Sequence, residues 1–266
     1  MKTVASKDGT RIAFDRVGQG PALILIGGAI QYRAIDQGTG RLAELLGADF
    51  AVYHYDRRGR GDSGDTAPYS VDREVEDLDA LIREAGGSAF VFGMSSGAVL
   101  ALDAAARTTA ITKLALYEPP LMVDDTRTLI PDGYTERLNE LLASDRPGDA
   151  VELFMTEAVG VSAETVALMR RAPVWPALET AARTLPYDNA IMEGLVSGTP
   201  LSTDRWATVT VPTLVIDGGA SPEWARNAVA ALVDALPDGR RETLEGQTHQ
   251  YDPELLAPVV REFLAD

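Results

Sequence analysis

Gly93-Met94-Ser95-Ser96-Gly97 is the stretch from which the fold can be read. The apolar run Ala89-Phe90-Val91-Phe92 enters it, and Ala98-Val99-Leu100-Ala101-Leu102 with Ala104-Ala105-Ala106 leaves it. A short β-rich segment that turns through Gly-x-Ser-x-Gly into an alanine-rich helix is the nucleophile-elbow pattern. A strand can turn into a helix this tightly only where side chains do not collide, and Gly93 and Gly97 keep the flanks clear. Ser95 is predicted at the apex with its hydroxyl outward. There it meets a helix N-terminus whose free amides favour developing negative charge. An inert Gly/Ser turn uses the same letters, but the strand before and the helix after select the chemical reading.

On the N-terminal side, Thr3-Val4-Ala5 and Arg11-Ile12-Ala13-Phe14 flank Lys7-Asp8-Gly9, where Asp-Gly suits a hairpin turn. Pro21 opens Ala22-Leu23-Ile24-Leu25-Ile26, a continuous apolar run that suits a strand buried on both faces. It ends at Gly27-Gly28-Ala29, which alone reads as a strand-to-loop glycine pair and, beside Ser95, as a candidate oxyanion-hole loop. Phe50 to Tyr55 is the next strand, and His54 within it reads as a packed histidine. Asp56-Arg57-Arg58-Gly59-Arg60-Gly61-Asp62-Ser63-Gly64 follows, a glycine-studded loop expected to fold against its own ion pairs with Asp56, Asp62 and Asp65. It lacks the lysine and the spacing of a phosphate-binding loop. Val71, Val75, Leu78, Ile82 and Ala85 recur at helical spacing, with Gly86 ending that helix.

Beyond the elbow, Ile111 to Tyr117 reads as a strand ending Glu118-Pro119-Pro120. From there to Trp206 the pattern becomes helical: Tyr134 to Leu142, Ala150 to Ala158 and Ala163 to Arg171, with Pro147, Pro173, Pro176 and Pro186 as breaks. Met155, Met169, Trp175, Leu178 and Met192 could line an apolar pocket there or simply pack. Strand–helix alternation then resumes. Val211 to Ile216 is a strand, Ser221 and Pro222 suit the N-cap and first position of a helix to Leu236, and Arg241 to Leu244 is a last strand. The loop Gly246-Gln247-Thr248-His249-Gln250 precedes a closing helix opened by Asp252-Pro253-Glu254. Repeated strand–helix units predict an α/β chain with a mainly parallel sheet wrapped by helices.

Composition narrows the functional classes. The 266 residues carry a net charge of −16 with no basic patch, which argues against a nucleic-acid partner. Cysteine is absent, so disulfides and thiolate metal sites are excluded, and two histidines make a multi-histidine metal cluster an unpromising expectation. No apolar run has the length to span a bilayer, and the N-terminal segment lacks the apolar core of a signal peptide. The expectation is a cytoplasmic protein with no membrane partner.

With these residues in place, the chain resembles the α/β-hydrolase superfamily over nearly its full length. The matches are the strand ending Gly27-Gly28-Ala29, the loop Asp56 to Gly64, the elbow at Ser95 and the late His249, in the order serine, acid, histidine. The resemblance implies an eight-stranded sheet with a helical cap, dividing the chain into a core of 1–118 and 207–266 and a cap of 119–206. It also implies that Ser95 is a nucleophile with His249 as its base, and that the Ser96 and Ala29 amides form the oxyanion hole. The superfamily's usual acid position beyond the seventh strand is departed from, because Gly218-Gly219-Ala220-Ser221 puts a neutral serine there. Glu118, Asp217 and Glu223 remain candidates. Glu118 is favoured because it directly follows the sixth strand, the alternative acid position in some members, including certain haloalkane dehalogenases. A serine at the elbow sets the chain apart from relatives that use a carboxylate there. The expectation is acyl transfer from a small ester, lactone or thioester to water, with no cofactor or metal. A non-hydrolytic lyase or cyclase and a slow-turnover binding protein are the rival readings.

Overall fold

Alternation along the strands decides which helices cover which side of the sheet. The computed structural model describes residues 1–266. Its strands are β1 (Lys2–Ala5), β2 (Arg11–Val17), β3 (Ala22–Ile26), β4 (Ala51–Tyr55), β5 (Ala89–Met94), β6 (Ile111–Tyr117), β7 (Thr213–Gly218) and β8 (Gly239–Leu244). They form one eight-stranded sheet in the order β1-β2-β4-β3-β5-β6-β7-β8. The β1–β2 and β2–β4 pairs are antiparallel and the rest are parallel. The Asp8-Gly9 turn forms as expected, with Gly9 at φ 83° and the Asp8 carboxylate accepting from Thr10 N at 2.9 Å.

The helices are α1 (Gln37–Leu46), α2 (Val71–Glu84), α3 (Ser96–Ala105), α4 (Tyr134–Ala143), α5 (Pro147–Leu153), α6 (Ala163–Met169), α7 (Trp175–Ala181), α8 (Leu185–Ile191), α9 (Glu223–Ala235) and α10 (Pro253–Ala265). Along β3, Ile24 and Ile26 face a core shared with α2, α3 and α9, while Leu23 and Leu25 face a second core shared with α1 and α10. The apolar run at 22–26 is thus buried on both sides, as its composition predicts. No helix is long and apolar enough to cross a membrane. The outer strand β8 carries exposed Arg240, Arg241 and Glu242.

Helices α4 to α8 lie between β6 and β7 with no strand among them. They enclose an apolar cluster of their own, which includes Trp175 and Leu178 and also takes in Ile30 from the loop after β3. Met155 and Met169 pack on this cluster and Met192 on the larger core.

Three of the four prolines expected to break helices start them instead. Pro147 is the first residue of α5, and Pro176 and Pro186 are the second residues of α7 and α8, all within the first turn, where a missing N–H loses no hydrogen bond. Pro173 lies in the turn before α7. The expected continuous helix Ala150 to Ala158 instead ends as α helix at Leu153 and widens into a π-helical turn, Phe154–Val159. Thr156 Oγ1 donates to Glu152 O at 2.8 Å and competes with the backbone donors there.

Candidate active site

The turn from β5 into α3 is as tight as its glycines require. A Cβ on Gly93 would stand 2.6 Å from Gly97 O, and one on Gly97 would stand 2.6 Å from Ile26 O. A side chain at Gly93 would push β5 off the first turn of α3, and one at Gly97 would push that turn off the end of β3. Ser95 sits at φ 55° and ψ −128°, a region sparsely populated by any residue with a side chain. Its amide donates to Tyr117 O at 2.9 Å, which pins the apex to the end of β6.

Glu118 is the residue that leaves β6, at φ 42°. Its N–H donates to Ile216 O at 3.0 Å, and its carboxylate is buried. Oε1 accepts from Gly218 N at 2.8 Å and from the Ser221 hydroxyl, while Oε2 faces His249 Nδ1 at 2.9 Å. Burial alone would raise this carboxyl. The hydrogen bonds from His249, Ser221 and Gly218 outweigh burial and hold it below the usual glutamate range. An ionised carboxylate only accepts, so His249 Nδ1 carries a ring hydrogen, and in the neutral imidazole the free lone pair is on Nε2.

The loop that carries His249 is fixed from two sides. Tyr117 Oη donates to Thr248 O at 2.6 Å. Gly218 lets the loop dock on β7, since a Cβ there would meet Gln247 O at 2.2 Å. The imidazole itself remains 43% exposed on one side. Its hydrogen bond runs to Glu118, and none joins it to Ser95.

The other two carboxylate candidates are engaged or displaced. Asp217 accepts from Arg241 Nη2 at 2.6 Å and Thr243 Oγ1 at 2.7 Å, turned towards β8, and Glu223 is exposed in the first turn of α9. Ser221 is not the N-cap of α9, a position held by Pro222. Its hydroxyl instead donates to the buried charge of Glu118, a charge-assisted hydrogen bond. The serine that stands where an acid was expected therefore donates to the carboxylate at the end of β6.

Across the cleft, the loop after β3 brings Gly28 against the elbow: a Cβ on Gly28 would lie 2.9 Å from Ser95 Cβ. Gly28 N donates to Gln31 Oε1. Neither the Ser96 N–H nor the Ala29 N–H donates to a backbone carbonyl, as expected of a first helical residue and an open loop. His54 is buried within β4, two strands from the elbow, and burial lowers its basicity.

The arginine-rich loop does not pair with its own aspartates. Arg57 bonds Glu74 through Nε and Nη2 at 2.7 and 2.6 Å and reaches Asp188 at 2.8 Å. Arg58 bonds Asp77 at 2.8 and 2.7 Å and Asp8 at 3.0 Å. Asp56 instead accepts from Arg33 N at 2.7 Å and Asp62 N at 2.9 Å. The tight loop faces its arginines inward, where α2, α8 and the β1–β2 turn supply the carboxylates that pair with them.

With this geometry in view, residues 23–259 match the family described as alpha/beta hydrolase. An alpha/beta hydrolase from Sphaerobacter thermophilus DSM 20745 is 54% identical, with 99% of this chain and 100% of that chain covered, at a TM-score of 0.92. The chain belongs to the alpha/beta hydrolase family. At 21% identity, two alpha/beta-fold neighbours share the architecture. A thermophilic esterase from Thermogutta terrifontis aligns at a TM-score of 0.74 over 99% of this chain and 97% of its own. An enol-lactonase from Burkholderia xenovorans LB400 aligns at 0.70 over the whole of both chains. The eight-stranded, mainly parallel sheet is thus an alpha/beta hydrolase sheet, with Ser95, Glu118 and His249 following β5, β6 and β8 at its carboxyl edge.

Proposed function

We propose that this alpha/beta hydrolase is a serine hydrolase that cleaves a small carboxylic ester, or a related lactone or thioester, through an acyl-enzyme. The observation that carries the reading is the buried Glu118 carboxylate hydrogen-bonded to His249 Nδ1, on the same sheet edge as the strained Ser95. In this reading His249 Nε2 takes the Ser95 proton as Oγ attacks the acyl carbonyl, and Glu118 holds the imidazole in the required tautomer and stabilises its charged form. The tetrahedral oxyanion is received by the unengaged amides of Ala29 and Ser96. The imidazolium then protonates the leaving alcohol or thiol. Water attacks the acyl-enzyme by the same steps and releases the acid and free Ser95. The substrate is a small molecule, and no cofactor enters the proton accounting.

The test is labelling with a fluorophosphonate together with turnover of p-nitrophenyl esters of graded chain length, lactones and thioesters. Labelling that is lost in Ser95→Ala and strongly slowed in His249→Ala, with ester turnover lost in parallel, is the expected result. Labelling no faster than in His249→Ala would overturn it.

A further inference from the structure

A buried polar relay ties both unengaged amides to α8. The Arg60 guanidinium is fully buried and uses all three of its nitrogens. Nε donates to Thr184 Oγ1 at 2.9 Å, Nη2 to Asp188 Oδ2 at 2.6 Å and Nη1 to Gly28 O at 2.5 Å. The Gly28 carbonyl and the Ala29 N–H belong to one planar peptide and point in opposite directions. A cation that holds the carbonyl therefore fixes the direction of the amide, and by polarising the peptide strengthens that amide as a donor. The second arm starts from the other Asp188 oxygen. Oδ1 accepts from Ser96 Oγ at 2.7 Å and from Arg57 Nη1 at 2.8 Å, which fixes the first turn of α3. The backbone contact from Gln31 N to Gly28 O is long, 3.4 Å, so Arg60 is the main restraint on that peptide.

We propose that Arg60 and Asp188 are positioning residues that hold the Ala29 and Ser96 amides in a fixed relation to one another, so that a residue of α8 sets the geometry of the oxyanion hole. This rests on the reading of Ser95 as nucleophile with those amides as its oxyanion donors. Asp188 then does more than neutralise two buried arginines. It joins the loop after β3 to the first turn of α3, and the hole is complete only when α8 is docked.

The experiment compares Arg60→Met, Ser96→Ala and Ser95→Ala with the full wild-type chain. p-Nitrophenyl acetate serves as substrate and an aryl trifluoromethyl ketone as probe. The ketone adds the Ser95 oxygen to its carbonyl carbon, and the resulting oxyanion occupies the hole. Arg60→Met is expected to lower kcat about 10- to 100-fold with KM within about twofold, below the full loss of a donor. Ketone affinity should fall by the same factor. Ser96→Ala leaves packing and backbone in place and is expected to lose about 3- to 10-fold in both quantities. Thermal melting reports folding, and Ser96→Ala decides alone if Arg60→Met does not fold. Folded variants whose kcat and ketone affinity stay within twofold of wild type overturn the proposal. So does a loss of kcat without loss of ketone affinity, because the defect then lies outside the tetrahedral adduct. Full turnover in Ser95→Ala instead sinks the nucleophile reading and the inference with it, whereas an inert Ser95→Ala beside an unaffected Ser96→Ala and Arg60→Met sinks the inference alone.

Discussion

Glu118→Gln replaces one carboxylate oxygen with an NH2 group, and the surrounding donors dictate where it goes. Gly218 N and the Ser221 hydroxyl both donate to Oε1, so the glutamine carbonyl must take that place. The amide NH2 is thereby forced into the Oε2 position, 2.9 Å from His249 Nδ1, and it can only donate. Nδ1 must then accept, so the ring hydrogen moves to Nε2, the nitrogen that should take the proton from Ser95. A wrong tautomer of this kind lowers turnover by about a thousand- to ten-thousand-fold, or about 4–5.5 kcal/mol of barrier. Burial and volume are unchanged, so melting should shift little by comparison. The assay is kcat for p-nitrophenyl acetate at pH 7 in Glu118→Gln, Asp217→Asn and Glu223→Gln. Asp217→Asn loses only the link to Arg241 and Thr243 and is expected to stay within about tenfold, in line with a change away from the reacting groups. Equal losses in Glu118→Gln and Asp217→Asn, or near-normal turnover in Glu118→Gln, would refute the reasoning.

Three further outcomes follow from the same geometry. The strain at Ser95 (φ 55°, ψ −128°) is of order 1–3 kcal/mol and persists in Ser95→Ala, but Ser95→Gly relieves it against an entropic penalty of about 0.5–1 kcal/mol. With 266 residues, a net gain of about 1 kcal/mol means that Ser95→Gly should melt about 2 °C above Ser95→Ala by calorimetry, although both are expected to be inactive. A lower melting point for the glycine variant would dispose of the strain. The Glu118 carboxyl is held below its ordinary value of 4.5, so its stabilising contribution is complete above pH 4.5 and is lost as the pH falls through its folded-state value. The stability gap between wild type and Glu118→Gln in urea titrations should therefore narrow on acidification from pH 5 to 3, and a gap that widens contradicts the sign. Gly28→Ala places a methyl 2.9 Å from Ser95 Cβ and 3.0 Å from Gln31 Oε1. Displacing that loop should lower kcat about 10- to 100-fold, on the scale of a misplaced reacting group, and wild-type turnover would show that the loop yields without consequence.

What could be read from the residues and what could not divide by sequence distance. The run at 22–26, the glycines at 93 and 97 and the turn at Asp8-Gly9 act on their neighbours, so their roles were visible locally. The favoured Glu118 rested on its position after β6, and its hydrogen bond to His249 spans 131 residues. The partners of the arginine loop were misread because charge balance within nine residues suggests local pairing. Arg60 instead meets Asp188 across 128 residues, a contact that no local pattern encodes. The signal that could have corrected this was the crowding of Arg57, Arg58 and Arg60 directly after the fully buried strand β4, since buried cations demand anions from elsewhere. Ser221 was misassigned for a similar reason. Its sequence context is that of a helix cap, and only the fold brings a buried carboxylate within its reach. The prolines between Pro147 and Pro186 show that a residue unable to continue a helix is well suited to begin one.

The outer strand β8 has a bearing on self-association. Its free edge offers unpaired backbone groups to any extended segment, yet Arg240, Arg241 and Glu242 line it with charge that an incoming chain must desolvate. Threonine or valine at 240 and 242 would leave enzyme chemistry untouched while turning that rim into a template for fibrous growth. The guard against clumping is thus carried by the charged rim of the sheet rather than by its core.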